Sequence, residues 1–224
     1  MYKGLKVSLV LPCLNEESGI RASLEKVPAF VDETIVVDGG SKDRTAQIAQ
    51  GMGAKVIVER RRGYGLAHKV GFQAAQGDLV VAADGDSTYP FETAGEIIDY
   101  IREKNLDFVS ASRFPLRHQE SMRFRNFFGN VVITLLIVIL YRQKITDGLS
   151  GMWVFKKSVL PKMKLLSDNW NFSEEIKIEA MTNPDIRFGE YPIVYAERLG
   201  ETKLLPWKVG LENICFLFYK RFLT

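Results

Sequence analysis

The feature that most constrains the fold of this chain is a regular alternation of short apolar runs and longer amphipathic stretches over residues 1–111. The short runs have the length and composition of strands, and the longer ones carry apolar residues at helical spacing. This alternation predicts an α/β fold, with a mainly parallel central sheet and helices on both faces. The predicted strands are 7–11, 34–37, 55–58, 79–83 and 108–111, and the predicted helices are 16–27, 42–52, 66–75 and 91–104.

Length and composition fit a single domain of this kind. The chain has 224 residues, of which 46% are hydrophobic and 25% charged, and these values exclude collagen-like, disordered and disulfide-scaffold classes. Thirty basic and 27 acidic residues give a net charge of +3, so we expect no nucleic acid partner. Residues 1–205 are predicted to form one domain, followed by a C-terminal segment over 206–224.

Acidic residues follow three of the predicted strands. Glu16 comes shortly after the first strand, Asp38 directly follows the second, and Asp84 and Asp86 follow the fourth. Ligands of open parallel sheets bind beyond the carboxyl ends of the strands. The sequence therefore predicts a polar site at this edge of the sheet.

Asp84 and Asp86 flank Gly85 directly after a buried run. Two carboxylates in a tight turn can share a hard cation such as Mg²⁺, which also takes phosphate oxygens from a substrate. Such a cation would neutralise the charge of a departing diphosphate. The alternative is an Asx turn that closes the strand and caps the next helix.

Several other site classes lack their signatures. The pair Gly63 and Gly65 has no third glycine, because His68 stands at that place, so a nicotinamide cofactor is not expected. The chain has no Walker A sequence and no Gly-x-Ser-x-Gly elbow. Its two histidines, His68 and His118, are too few and too scattered for a zinc site.

A series of motifs runs in order from residue 7 to about residue 205. It comprises 11–17, 36–45, 63–67, 75–78, 84–86, 112–114, 147–151, 190–193 and 198–203. In this order the motifs resemble those of family 2 glycosyltransferases with the GT-A fold, and among them the polyprenyl-phosphate (dolichyl-phosphate) sugar synthases. The resemblance implies a GT-A fold and a nucleotide diphosphate sugar as donor, with Mg²⁺ or Mn²⁺ as cofactor.

The resemblance also implies roles for individual residues. Asp84, Gly85 and Asp86 would flank the ribose and diphosphate, with Asp86 as the principal metal ligand. Arg113 would lie near the diphosphate or the acceptor phosphate, and Arg123 or Arg125 would pair with that acceptor phosphate. The residues that would border the nucleoside are Pro12, Leu14, Glu16 and Asp38, and those that would close over the phosphates are Arg198 and Lys203. The alternative for Arg198 and Lys203 is a solvated hairpin tip.

Three departures from the family pattern leave the sugar and the nucleotide open. Trp153 stands where the family often has arginine, and Leu14 replaces a common tyrosine. The spacing from Arg198 to Lys203 is one residue shorter than in typical dolichyl-phosphate mannose synthases.

Two apolar segments in the second half raise the question of a membrane surface. The run 131–140 has basic flanks and about half of the roughly 20 residues that a spanning helix needs, so we expect an interfacial helix or a core helix. Residues 206–223 mix aromatic and basic side chains, which favours an interfacial helix or a homodimer contact. We expect peripheral attachment at the cytoplasmic face of the membrane.

The hypothesis from sequence is an inverting transfer of a hexose, from a donor of the GDP-mannose or UDP-glucose type, to a polyprenyl phosphate. The first alternative is transfer to a sugar hydroxyl, with Glu174 or Glu175 as the base; both also suit the first turn of a helix capped by Ser173. A nucleotide-sugar pyrophosphorylase would need a Gly-rich loop after the first strand, where this chain has Asn15 and Glu16. A non-catalytic membrane-docking module is the third alternative.

Overall fold

The protein is built on one mixed sheet with helices on both faces. The computed structural model describes residues 1–115, 124–196 and 206–223. Its strands are β1 Val7–Cys13, β2 Glu33–Asp38, β3 Lys55–Val58, β4 Leu79–Ala82, β5 Phe108–Ser112, β6 Trp153–Lys156 and β7 Phe188–Pro192. Its helices are α1 Glu17–Glu25, α2 Thr45–Gly51, α3 Tyr64–Ala74, α4 Ala94–Glu103, α5 Phe124–Tyr141, α6 Phe172–Thr182 and α7 Pro206–Phe222.

The strands form a sheet in the order β3-β2-β1-β4-β6-β5-β7. The neighbours β3-β2, β2-β1, β1-β4 and β5-β7 are parallel, whereas β6 runs antiparallel to both β4 and β5. The predicted α/β fold with a mainly parallel sheet is confirmed. The antiparallel β6 joins the two parallel groups of strands.

Predicted and observed elements differ mainly at their ends. Strand β1 extends to Cys13, because Pro12 and Cys13 continue the ladder opposite Val37 and Asp38. Helix α2 begins at Thr45, where the predicted helix began at residue 42. Ser41 does not cap this helix, since its hydroxyl donates to Asp38.

Each face of the sheet covers its own apolar core. The core beneath α1 and α4 includes Ile20, Ile97 and Ile98, all fully buried. The core beneath α3 and α6 is aromatic, and the indole of Trp153 lies at its centre against Phe172. Because Trp153 is completely buried, the residue that departs from the family arginine is part of the core.

Helices α5 and α7 pack against each other beside α6. Leu217 of α7 is fully buried, and its carbonyl accepts a hydrogen bond of 2.9 Å from the Tyr141 hydroxyl. Lys220 pairs with Glu175 at 2.9 Å and with Glu179 at 2.8 Å. The C-terminal helix is thereby fixed to α6 by a buried ion pair.

The run 131–140 combines a buried side and an exposed side. Ile133 and Ile137 face the core between the helices, whereas Leu135 and Ile139 are 57% and 60% exposed. Within the described ranges, no helix combines the length and the apolar character needed to cross a bilayer.

Candidate active site

Four carboxylates lie near the thiol of Cys13, at the carboxyl ends of β1, β2 and β4, because Cys13 pairs with Asp38 across the sheet and its sulfur faces Gly85 between Asp84 and Asp86. Burial raises the pKa of Cys13, and the negative charges of Glu16, Asp38, Asp84 and Asp86 raise it further. The structure thus brings together the acidic residues that the sequence placed at one edge of the sheet.

The turn after β4 holds its two carboxylates in different ways. Oδ1 of Asp84 accepts a hydrogen bond of 3.0 Å from the Tyr64 hydroxyl. Oδ1 of Asp86 accepts bonds from the Thr88 amide at 3.1 Å and from its hydroxyl at 2.6 Å. Asp86 therefore forms the Asx turn that the sequence allowed as an alternative to a cation site. This turn fixes the orientation of the Asp86 carboxylate.

Gly85 is required at the middle of this turn because there is no space for a side chain. A Cβ added there would lie 2.3 Å from the Cys13 sulfur, well inside contact distance. The Gly85 carbonyl also accepts a hydrogen bond of 3.0 Å from the Ser23 hydroxyl of α1. The absence of a side chain lets the carboxylate turn pack directly on the end of β1.

A cleft of about 740 Å³ opens beside this acidic edge, over the ends of β1, β2 and β3. Asp38 lies at its floor, 3% exposed, and accepts hydrogen bonds from the amides of Gly40 at 3.2 Å and Ser41 at 3.1 Å. The cleft is also lined by Leu14, Asn15, Gly39, Lys42, Asp43, Ala46, Gln47, Val58, Arg60 and Arg62.

The basic lining of this cleft was missed in the sequence. Arg60 and Arg62 belong to a run of three arginines after β3, and Arg61 between them pairs with Glu59 at 2.8 Å. The run itself was the available signal, because it follows a strand at the same edge as the carboxylates. The cleft therefore offers cations opposite the buried carboxylate of Asp38.

Arg113 forms a buried ion pair. Its Nε and Nη2 donate to the two carboxylate oxygens of Asp147 at 2.7 and 2.8 Å, and its guanidinium lies 5.3 Å from the centre of the Tyr195 ring. Burial alone would raise the pKa of Asp147, but the charge and hydrogen bonds of Arg113, together with the charge of Lys177, outweigh this effect and hold the pKa below its usual value. The pair joins the end of β5 to the segment before β6.

The two glutamates considered as bases are both buried in α6. Glu175 accepts hydrogen bonds from the amides of Leu166 at 2.9 Å and Ser167 at 2.8 Å, besides its ion pair with Lys220. Burial raises the pKa of Glu174 well above its usual value. The expected cap by Ser173 is wrong, because α6 begins at Phe172 and Ser173 lies inside the helix. The Ser173 hydroxyl donates to the Ser150 carbonyl.

Of the remaining candidates, Pro12 lies at the acidic edge next to Cys13, and the others lie elsewhere in the fold or outside the described residues. Arg125 is exposed on α5, and Pro12 is half-buried in β1. Arg123, Arg198, Lys203 and His118 lie outside the described residues. His68 packs in the aromatic core of α3, where burial lowers its pKa to about 3.

The donor set at the end of β4 fits a divalent cation that is shared with a substrate. It consists of the two carboxylates Asp84 and Asp86, and the described residues contain no group of three or more His, Cys, Asp and Glu side chains placed to hold a metal. Mg²⁺ is commonly bound by one or two carboxylates, with waters and substrate phosphates completing its coordination.

Comparison with known proteins identifies the family. The model of "Glycosyl transferase family 2" matches residues 8–163. The chain belongs to glycosyl transferase family 2. It is a glycosyltransferase with the GT-A fold, as the order of motifs predicted.

Two curated relatives of this family 2 glycosyltransferase come from Haloferax volcanii. The low-salt glycan biosynthesis hexosyltransferase Agl6 is 31% identical over 218 residues, which cover 94% of this chain and 52% of the relative. A dolichyl-phosphate hexose transferase is 33% identical over 210 residues, which cover 91% of this chain and 89% of the relative. The chain thus spans about half of the first relative and most of the second.

Solved structures support the fold of this family 2 glycosyltransferase. Glucosyl-3-phosphoglycerate synthase from Mycobacterium tuberculosis, in complex with Mn²⁺, UDP and phosphoglyceric acid, superimposes with a TM-score of 0.76. It is 20% identical, and the match covers 97% of this chain and 78% of the synthase. At this identity the likeness establishes the GT-A fold alone.

Proposed function

We propose that this glycosyltransferase transfers a hexose from a nucleotide diphosphate sugar to a polyprenyl phosphate, with a divalent cation and with inversion at the anomeric carbon. The observation that carries the proposal is the convergence of Glu16, Asp38, Asp84 and Asp86 around Cys13, beside a cleft lined by cations. The curated relative named dolichyl-phosphate hexose transferase supports the choice of acceptor.

The cleft over β1, β2 and β3 is the proposed nucleoside site. Leu14 offers an apolar contact at its mouth, and Asp38 offers a fixed carboxylate for the base or ribose. Pro12 and Glu16 border the same site from β1 and the loop after it. Arg60 and Arg62 stand at the rim, where guanidinium groups favour an anionic ligand.

Asp84 and Asp86 are the proposed ligands of Mg²⁺ or Mn²⁺, with Gly85 between them. The bound cation would neutralise the negative charge that develops on the departing nucleoside diphosphate. The hydrogen bonds from Tyr64 and Thr88 hold the two carboxylates in place before any ligand arrives. Such preorganisation reduces the free energy that binding would spend on ordering side chains.

The two glutamates considered as bases are not accessible to an acceptor, and this favours a phosphate as the acceptor. Glu175 is committed to Lys220 and to two backbone amides, and Glu174 is fully buried. A phosphate monoester is already anionic near neutral pH and can attack the anomeric carbon without a strong base, whereas a hydroxyl acceptor needs one. The proposed cations for the phosphates are Arg113, Arg125, Arg198 and Lys203.

The proposed site of action is the cytoplasmic face of a membrane, reached through the exposed sides of α5 and α7. The exposed apolar residues of these helices are Phe128, Val131, Leu135, Ile139, Trp207, Leu211, Phe218, Tyr219 and Phe222. Exposed basic residues lie at the helix ends, among them Arg125, Arg142 and Lys208. Aromatic and apolar side chains flanked by cations suit the interface of an anionic bilayer.

The function is tested by incubating the protein with UDP-glucose or GDP-mannose, Mn²⁺ and a short polyprenyl phosphate. We expect a chloroform-soluble polyprenyl-phosphate hexose of inverted configuration from one donor, with no product from the matching polyprenol. Transfer to a sugar hydroxyl, or to polyprenol, with none to polyprenyl phosphate would contradict the proposed acceptor. No transfer and no binding of either donor would contradict the proposed function as a whole.

A further inference from the structure

An aromatic pair stands next to the carboxylate of Asp84. The rings of Tyr64 and Trp170 stack with their centres 4.9 Å apart and their planes 18° from parallel. The Tyr64 hydroxyl reaches Asp84, so this ring links the indole to the acidic edge. Trp170 keeps 37% of its surface exposed although one of its faces is covered by Tyr64.

Beside this pair, three oxygen atoms pack closely against the backbone of Gly151. A Cβ at Gly151 would lie 2.9 Å from the Tyr64 hydroxyl, 3.1 Å from Oδ2 of Asp84 and 3.3 Å from the Tyr89 hydroxyl. The φ of Gly151 is not among the positive values in the chain. Glycine is therefore needed here for space, and it brings the backbone close to three polar groups.

The aromatic pair is held rigidly. The Asp168 carbonyl accepts a hydrogen bond of 3.1 Å from the Leu66 amide, and the Asp168 carboxylate pairs with Lys69 at 2.5 Å. A Cβ at Gly63 would lie 2.3 Å from the Asp168 carbonyl oxygen. The start of α3 therefore packs closely on the loop that carries Trp170, and neither ring needs to be ordered by a ligand.

The order of the strands places Gly151 and the aromatic pair one step beyond the carboxylate pair. The cleft lies over β3, β2 and β1, Asp84 and Asp86 follow β4, and Gly151 lies two residues before the start of β6. A nucleotide sugar whose nucleoside fills the cleft and whose diphosphate lies at Asp84 and Asp86 would extend its hexose towards β6. The hexose would thus reach the indole of Trp170.

We infer that Trp170, backed by Tyr64, is a specificity-determining surface on which the hexose ring of the donor lies. The inference rests on the proposed function and deepens it. A pyranose has a face of C–H groups that packs on an aromatic ring, while its hydroxyls point outward from the ring edge. The carboxylate of Asp84, to which the Tyr64 hydroxyl donates, is a polar neighbour of this aromatic surface, so the surface presents an apolar face and a polar edge to the sugar.

The test compares binding of the whole donor with binding of its diphosphate. Titration calorimetry with Mn²⁺ would measure Kd for UDP-glucose and UDP, and for GDP-mannose and GDP. For the pair that the wild type binds, we expect Trp170→Ala to weaken binding of the nucleotide sugar about tenfold and binding of the free diphosphate less than about twofold. Trp170→Phe retains a ring and should restore most of the affinity for the sugar.

Trp207→Ala serves as the matched control, because this exposed tryptophan lies on α7 away from the acidic edge. It should leave both affinities unchanged. If Trp170→Ala weakens binding of the nucleotide sugar and of the diphosphate equally, or weakens neither, the role of Trp170 is overturned and the proposed function still stands. If the wild type binds none of the four ligands, both the function and the role of Trp170 fail.

Discussion

At the scale of single residues, the site depends on contacts that leave no room for a side chain. Gly85 lies between the two candidate metal ligands and faces the sulfur of Cys13. Since Cys13 ends β1 and is 4% exposed, neither partner can move without shifting a strand. The position of the carboxylates is thereby determined by the packing of a glycine against a thiol.

This packing predicts the effect of a paired substitution. Gly85→Ala should lower the free energy of unfolding by about 1–3 kcal/mol, because the new methyl group overlaps the Cys13 sulfur. Adding Cys13→Ala removes the sulfur and should recover part of that loss. Chemical denaturation of the wild type, the two single variants and the double variant would measure this recovery. Additive effects of the two substitutions would show that they do not share this contact.

At the scale of elements, α6 carries charged groups into the interior. Lys177 is fully buried and donates hydrogen bonds to the carbonyls of Ser150 at 2.8 Å and Asp147 at 3.3 Å. Burial lowers its pKa to about 7. Helix α6 thus fixes the segment before β6, which carries Gly151.

The lowered pKa of Lys177 predicts a pH dependence of stability. Between about pH 7 and pH 10.5 the unfolded chain binds a proton at this lysine that the folded chain does not. Stability should therefore rise with pH through this window, by at most about 1.4 kcal/mol per pH unit from this group. Urea unfolding at pH 7.5 and 9.5 should show a rise that Lys177→Met lacks and that Lys208→Met, an exposed control, retains. Equal rises in all three proteins would contradict the assignment.

Helices α5 and α7 present the clearest separation of a structural side from an exposed one. Val209 and Leu217 are buried, whereas Trp207, Leu211 and Phe222 are between 64% and 78% exposed. Deleting α7 would remove both sides and break the ion pair of Lys220 with Glu175. Substitutions on the exposed side alone separate surface binding from folding.

We therefore expect the triple variant Trp207→Ser, Leu211→Gln, Phe222→Gln to bind vesicles of phosphatidylcholine and phosphatidylglycerol at least about tenfold more weakly in co-sedimentation. Val58→Gln, at an exposed position on β3, is the control and should bind as the wild type does. Unchanged vesicle binding by the triple variant would contradict the membrane surface. If this side is instead a homodimer contact, ultracentrifugation without vesicles would show a dimer that the triple variant loses.

At the scale of the whole molecule, the sheet arranges the proposed sites in a line. The cleft, the carboxylate pair and the aromatic pair beside Gly151 follow one another over β3-β2-β1, β4 and the start of β6. This order matches the order of nucleoside, diphosphate and hexose in a nucleotide sugar. The antiparallel insertion of β6 is what places Gly151 beside Asp84.

Much of this arrangement could be predicted from sequence because it depends on local periodicity. The strands β1 to β5 and the convergence of Asp38, Asp84 and Asp86 follow from the alternation and from the common edge of parallel strands. The insertion of β6, the stacking of Tyr64 on Trp170 and the pairing of Glu175 with Lys220 join residues far apart in the chain. Such contacts arise only when the elements pack together, so the spacing of residues in the sequence does not predict them.

The most direct test of the account is the dependence of hexose transfer on Asp86. Transfer from the active nucleotide sugar to polyprenyl phosphate would be measured against Mn²⁺ concentration for the wild type, Asp86→Asn and Asp99→Asn. Asp99 pairs with Lys3 on the surface of α4, so it is a matched control. We predict that the wild type and Asp99→Asn require Mn²⁺ equally, and that Asp86→Asn folds normally but loses at least about 100-fold in rate. Transfer by Asp86→Asn at the wild-type rate, or wild-type transfer without a divalent cation, would contradict the account.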